Sequence, residues 1–341
     1  MKTLVLETPG KLIAIETAHP GKPSQGEALV RVHRIGVCGT DIHAFNGKQP
    51  FFSYPRILGH ELGVEVVAVG GGVTNVRVGD RCAVEPYLNC GRCIACRRGK
   101  PNCCTALQVL GVHIDGGHRE EILIPADKLH PSQKLGYEQL ALVETLGIGA
   151  HAIERAQLEA GETVAVIGAG PIGLSAIQFA AAAGARVLVI DVNESRLAYC
   201  RDRLGIAAAD LIDARTADVV AKLKELTDGD LPTAVFDATG NPQSMAAAFD
   251  YPAHGGRLVF IGLFPGDVTF NDPNFHRREL TLLASRNARP RDFVHIIGLV
   301  EAGKVDTAPW ITHRAHIDDV PAVFESWTKP ETGVLKAMIE L

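Results

Sequence analysis

Thr163-Val-Ala-Val-Ile-Gly168-Ala-Gly170-Pro-Ile-Gly173 sets a short apolar, β-branched run directly ahead of three glycines spaced as G-x-G-x-x-G. The apolar run, Thr163 to Ile167, reads as a strand buried on both faces. The glycines then permit a tight turn, the close approach of a pyrophosphate and dense helix packing. Pro171 opens a helix whose amino terminus supplies N–H donors and positive potential. A lone glycine motif is weak, but this one joins a strand to a helix-length run. It makes Gly168, Gly170, Pro171, Ile172 and Gly173 candidate dinucleotide contacts. The next apolar run, Arg186 to Asp191, ends on the carboxylate expected to receive the adenosine ribose hydroxyls. A phosphate on that ribose would be repelled, which favours NAD over NADP. Arg196, five residues on, tempers that preference, and a plain helix-capping role for Asp191 is the alternative.

Downstream of this stretch the strand–helix alternation continues. Pro171 to Ala183 and Glu194 to Leu204 are helix-length, Ala234 to Asp237 and Arg257 to Gly262 are strand-like, and Gln243 to Phe249 lies between them. Such alternation feeds a parallel sheet with helices on both faces, a doubly wound α/β domain. Upstream the pattern differs. Ala28 to His33, Val64 to Val69 and Arg81 to Val84 are short β-branched or alternating runs punctuated by glycine and proline, as expected of a β-rich second domain. After Ser285 a helix, Arg291 to Ala302, leads to mixed short elements ending in Val334 to Ile339, a strand-like end able to rejoin the first domain's sheet.

The 341 residues suffice for two domains and a sizeable core, and 46% hydrophobic with 21% charged residues fits a globular chain. A net charge of -5 provides no overall field to gather nucleic acid or an anionic membrane, so neither is an expected partner. Met1 to Gly10 lacks the apolar run of a secretory signal. Val164 to Ile190, the most apolar region, is broken by glycines, Pro171 and Arg186 and is no membrane span. The expected location is cytoplasmic. There, eight cysteines read as metal ligands or reduced thiols, not disulfides. Cys82 and Cys200 are most simply packed thiols.

Cys90-x2-Cys93-x2-Cys96-x7-Cys104 places four soft ligands in a loop too short for its own core. Four thiolates close a tetrahedral zinc site and leave no position for substrate, so the expected role is structural. Cys103 competes with Cys104 for the fourth place; the longer gap to Cys104 gives the loop more room to return.

A second cluster carries the chemistry. Gly36-Val-Cys-Gly-Thr-Asp-Ile-His43 packs a thiol, a hydroxyl, a carboxylate and an imidazole into one turn, and Gly59-His60-Glu61 adds an imidazole and a carboxylate. Singly, Cys38 and His60 read as core residues. Together they match a zinc site with an open position for water or substrate. Glu144, in the apolar Ala141-Leu-Val-Glu-Thr145, is a further candidate ligand or near ligand, because a carboxylate there is costly unless paired; a helix-start carboxylate is the alternative.

With these motifs in place the chain resembles the zinc-dependent medium-chain dehydrogenase/reductases over nearly its full length, within their polyol and sugar-acid branch. Gln49-Pro-Phe-Phe-Ser-Tyr-Pro55, Pro101-Asn-Cys-Cys104, Leu110-Gly-Val-His-Ile-Asp-Gly-Gly117, Gly262-Leu-Phe264, Asp272-Pro-Asn-Phe-His276 and Ser285-Arg-Asn-Ala288 look closest to the L-galactonate 5-dehydrogenase type. The resemblance implies a GroES-like catalytic domain, 1–147 and 285–341, and an inserted Rossmann domain, 148–284. It implies one catalytic and one structural zinc per chain. Cys38 and His60 would be catalytic zinc ligands, with Glu61 and Glu144 completing or exchanging in the coordination shell, and Thr40 with His43 would form a proton relay. Two positions depart from the family pattern: Val64 stands where a glycine is usual, with Gly63 one place earlier, and His118 stands where an aromatic residue follows Gly116-Gly117.

The expected reaction is zinc-assisted hydride transfer from a secondary hydroxyl of a sugar acid or polyol to NAD. Phe51, Phe52 and Tyr54 are candidates for the pocket wall. Arg286 with Asn287 can contact the cofactor or a carboxylate-bearing substrate, or Arg286 is a surface residue. Sorbitol- and threonine-type dehydrogenases are alternatives within the family. A zinc-knuckle interaction protein sensing NAD is the alternative of another class, one with no need of Cys38, Thr40, His43, His60 and Glu61. Relatives suggest a homodimer or homotetramer built partly through the sheet edge near Arg257 to Gly266.

Overall fold

The computed structural model describes residues 1–49 and 52–341, which form two units, Met1–Thr145 with Ala288–Leu341 and Leu146–Asn287. Phe51 lies outside the described residues.

The second unit is a six-stranded parallel sheet in the order Leu211–Asp213, Arg186–Asp191, Thr163–Ile167, Ala234–Asp237, Arg257–Phe260, Thr281–Ala284. The glycine-motif strand is central: Ile167 pairs with Ile190 on one side and Asp237 on the other. The strand order reverses there, the crevice position at which doubly wound sheets bind nucleotides. Strands covered on both faces need apolar residues throughout, and Val164, Ala165, Val166, Leu188, Val189, Val235 and Leu258 are all fully buried. Helix Glu194–Leu204 begins where Asn193 accepts the Arg196 N–H and ends at Gly205, whose φ of 68° is the left-handed cap.

The first unit carries a mainly antiparallel sheet in the order Ile311–His316, Lys336–Glu340, Glu27–Val37, Glu61–Val69, Arg81–Val84, Leu129–Pro131, with Glu121–Pro125 also paired to Glu27–Val37. The carboxyl-terminal strand does rejoin this sheet, with Ala337 opposite Val37 and Ile339 opposite Ile35. Its core gathers Leu4, Val30, Ile35, Leu62, Val64, Ile122, Phe324 and Ile339. The displaced glycine has a local reason: a β-carbon at Gly63 would lie 2.0 Å from the Tyr137 carbonyl oxygen, while Val64 packs into the core. The fold is thus a GroES-like mixed-sheet unit with a Rossmann α/β unit.

Cys82 and Cys200 are buried, and burial pushes both thiols up to about 12, as befits packed, inert cysteines. Among the described residues no helix is long and apolar enough to cross a membrane.

Candidate active site

Strand Glu27–Val37 delivers Cys38, which caps helix Gly39–Phe45. The Cys38 N–H donates to Asp41 Oδ2 at 2.9 Å, closing the turn. In the adjacent strand Glu61 lies opposite Gly36. A β-carbon on Gly36 would sit 2.0 Å from Glu61 Oε2, so glycine makes the room for that carboxylate. One ligand atom each from Cys38, His60 and Glu61 lies within 4.8 Å of the others. Tetrahedral zinc with bonds of 2.0–2.3 Å needs ligand separations of about 3.3–3.8 Å, so this donor set fits the ion after small side-chain adjustments.

The surroundings orient these groups. Asp41 Oδ1 lies 3.7 Å from His60 Nδ1, and both residues are buried. Burial opposes a proton on His60, but the charges of Asp41, Cys38 and Glu144 outweigh it and raise its pKa well above the usual 6.5. A cluster that holds a proton so firmly is suited to a cation in its place. Lys336, also buried, donates to Glu61 Oε1 at 2.7 Å and Oε2 at 2.8 Å, and reaches Val37 O and Thr145 Oγ1 at 3.2 and 3.3 Å. Burial alone would raise the Glu61 pKa, but the Lys336 ammonium and then His60 hold it below the ordinary 4.5. Glu144 stands outside the three-residue group. It accepts a hydrogen bond from Tyr87 OH, and burial raises its pKa.

Thr40 is half-buried and His43 exposed on the same helix, three residues apart and therefore on one face. Tyr54 OH donates to Ala44 O, fixing its ring against this helix, and the Phe52 ring packs edge-on to it at 4.9 Å. His118 is fully buried. Its ring lies so close to Gly59 that a β-carbon there would fall 2.4 Å from His118 Cδ2. Among the described residues neither ring nitrogen has a hydrogen-bond partner, and burial pushes the pKa down to about 4, leaving a neutral imidazole. It is therefore a buried neighbour of the Gly59-His60 turn.

The four-cysteine loop closes on Cys90, Cys93, Cys96 and Cys104, whose sulfurs lie within 4.8 Å of one another; Cys103 is exposed and outside the group. Cys93 and Cys96 sulfurs are 3.5 Å apart, close to the roughly 3.8 Å edge of a zinc–thiolate tetrahedron. Cys104 Sγ accepts from the Cys90 N–H at 3.3 Å and the Ala106 N–H at 3.4 Å. Hydrogen bonds from the Cys96 and Thr105 backbones pull the Cys93 thiol down to about 5.

In the second unit, Gly168 takes a φ of +91°, and a β-carbon on Gly173 would overlap Gly168 O at 1.6 Å; both positions demand glycine. At Gly170 the nearest atom to such a carbon is Arg196 Nη1, 3.8 Å away, so this face stays open to a ligand. Pro171 and Ile172 start the helix that packs there. Asp191 Oδ2 accepts the Ala169 N–H at 2.6 Å and Oδ1 the Asn193 N–H at 2.7 Å, which fixes the carboxylate beside the glycine turn; Arg196 Nη1 is 4.0 Å from it. Arg286 and Asn287 follow strand Thr281–Ala284, at the same carboxyl edge of the sheet. Asn287 has a left-handed φ of 54°.

Four residues at the site carry no assigned role in the sequence reading: Asp41, Tyr87, Thr145 and Lys336. Lys336 left a signal, a lysine within an apolar terminal strand, of the same kind that drew attention to Glu144. Tyr87 left none.

Comparison with known proteins agrees with this geometry. Residues 24–134 match the alcohol dehydrogenase GroES-like domain and residues 171–302 the zinc-binding dehydrogenase family. The L-galactonate-5-dehydrogenase of Escherichia coli K12 is 41% identical over 339 residues, covering 99% of this chain and 98% of its own. Sorbitol dehydrogenase of Bacillus subtilis is 32% identical, covering 96% and 94%. The short chain alcohol dehydrogenase rspB of Escherichia coli CFT073, solved with NADH, superposes with a TM-score of 0.92 at 30% identity, covering 100% and 99%. Sequence, fold and the paired donor sets therefore place this chain in the zinc-binding alcohol dehydrogenase family, as a zinc-containing, NAD-dependent dehydrogenase of the alcohol and polyol class.

Proposed function

We propose that this enzyme oxidises a secondary hydroxyl of a sugar acid of the L-galactonate kind, with NAD as hydride acceptor. The observation that carries the substrate class is the 41% identity to an L-galactonate-5-dehydrogenase across almost the whole of both chains. NAD is supported by the fixed Asp191 carboxylate beside the glycine turn and by the NADH bound in the related rspB structure. Arg286 and Asn287 are the proposed additional contacts on that edge.

Cys38 and His60 are the proposed catalytic zinc ligands, with Glu61 or Glu144 as carboxylate ligands and Cys90, Cys93, Cys96 and Cys104 for the structural ion. Zinc supplies Lewis acidity, which lets an alcohol lose its proton near neutral pH. The chain's own residues do the rest. Asp41 orients the His60 ring by its position opposite Nδ1. Lys336 holds Glu61 charged beside Cys38 and His60, while Tyr87 donates to Glu144, so the two carboxylates stand in different environments. Thr40 accepts the substrate proton as it gives up its own hydroxyl proton toward His43, which stands exposed on the same helix face and passes a proton to solvent.

A kinetic panel tests the proposal: L-galactonate and other hexonates, sorbitol and L-threonine, each with NAD and NADP. The highest kcat/KM is expected for a hexonate with NAD. Preference for an uncharged polyol or for threonine rejects the sugar-acid assignment.

A further inference from the structure

One buried polar cluster in the first unit belongs to neither candidate ligand set. Lys128, 5% exposed, donates through Nζ to Glu85 Oε1 at 2.7 Å and to Asn89 Oδ1 at 2.9 Å. The other Glu85 oxygen lies 3.1 Å from His130 Nε2, and the His130 ring stacks on Phe293 with centroids 4.8 Å apart. Asn89 is the exit from the cluster. Its oxygen faces the ammonium, which has only donors, so its amide nitrogen points the other way, to Cys96 Sγ at 3.7 Å. A lysine and a glutamate this deeply buried are costly unless each has its full set of partners. Here Lys128 has two acceptors and each Glu85 oxygen one polar partner, and the amide nitrogen of Asn89 ends on a sulfur of the four-cysteine loop.

We infer that Asn89 is a positioning residue of the four-cysteine site, joining Cys96 to the buried Lys128–Glu85–His130 cluster and slowing the release of the metal held there. The inference rests on reading that loop as a metal site. Four thiolates around a divalent cation leave an excess of negative charge on sulfur. An N–H donor spreads part of that charge, and an ammonium on the oxygen end of the same amide polarises the donor further. A sulfur held by a fixed donor must also break that contact before it can swing away from the metal, which slows its departure. The cluster also fixes where the amide stands, so Cys96 meets a preformed donor.

The test uses the full-length protein with cadmium exchanged into the loop, following the thiolate–cadmium absorbance after excess chelator. Asn89→Asp keeps an acceptor for Lys128 but removes the donor to sulfur; release about 10-fold faster or more is expected. The double variant Lys128→Met, Glu85→Gln removes both charges together, avoiding a lone buried ion, and is expected to accelerate release by less. Metal at Cys38 and His60 stays bound in both. Release from Asn89→Asp at the wild-type rate overturns the inference. So does equal loss from both sites with a lowered thermal midpoint, because that marks general unfolding. A wild-type loop that takes up no cadmium instead rejects the metal reading itself.

Discussion

Lys336 Nζ bridges both carboxylate oxygens of Glu61, at 2.7 and 2.8 Å, although the two residues are 275 positions apart in the chain. The contact exists because the terminal strand Lys336–Glu340 pairs beside Val37, and Glu61 opens the strand on the other side of Glu27–Val37. Removing the lysine strands a buried carboxylate. Lys336→Met is expected to lose about 3–5 kcal/mol of stability in urea denaturation. Loss of less than about 1 kcal/mol would show that Glu61 has another partner.

The same pair sets a pH expectation. The folded Glu61 pKa lies below 4.5, so its contribution is present above that value and disappears only as the pH falls through the lower folded pKa. Burial disfavours charge on Lys336, but Glu61 raises its pKa above 10.5, so its contribution is present below 10.5 and lost only as the pH rises further. Neither group should therefore appear as a break in the kcat/KM profile between pH 5 and 10. A break in that range abolished by Lys336→Met contradicts this.

At His118 burial, not a charged partner, decides the shift. Burial holds its folded pKa at about 4, below the 6.5 of a free imidazole. Between those values the unfolded chain binds a proton that the folded chain refuses, so stability falls as the pH drops through that window, by at most roughly 3 kcal/mol. His118→Phe is expected to flatten that slope. Parallel wild-type and variant curves from pH 6.5 to 4 refute the assignment.

Asp191 is expected to set cofactor choice. Asp191→Ala removes the carboxylate beside the glycine turn and leaves Arg196 unopposed, so KM for NAD should rise about 10-fold or more while the NADP:NAD ratio of kcat/KM increases. An unchanged ratio would reduce Asp191 to a cap for the Ala169 and Asn193 N–H groups.

The parts of this molecule legible in the sequence are those set by local backbone geometry. Gly168, Gly170 and Gly173 announce the turn because each position's conformation, openness or packing is fixed within a few residues, and the cysteine spacing announces its loop for the same reason. Cys38 and His60 required both motifs to be seen at once. The partner of Lys336, the role of Tyr87 and the Asn89–Lys128 link were not legible, because sheet pairing and loop closure join residues that no sequence spacing relates. The preference for Cys104 over Cys103, by contrast, came from the spacing, and the sulfurs of Cys90, Cys93, Cys96 and Cys104 group together as that preference expects.

The most direct test of a zinc enzyme with two unlike metal sites is a zinc count per chain, made on wild type and Cys38→Ser beside turnover and NAD binding. Two zincs are expected in the wild type and one in Cys38→Ser, with turnover abolished and NAD binding largely intact. A Cys38→Ser protein that is fully active without the second zinc would contradict the assignment of Cys38, His60 and Glu61 to catalysis.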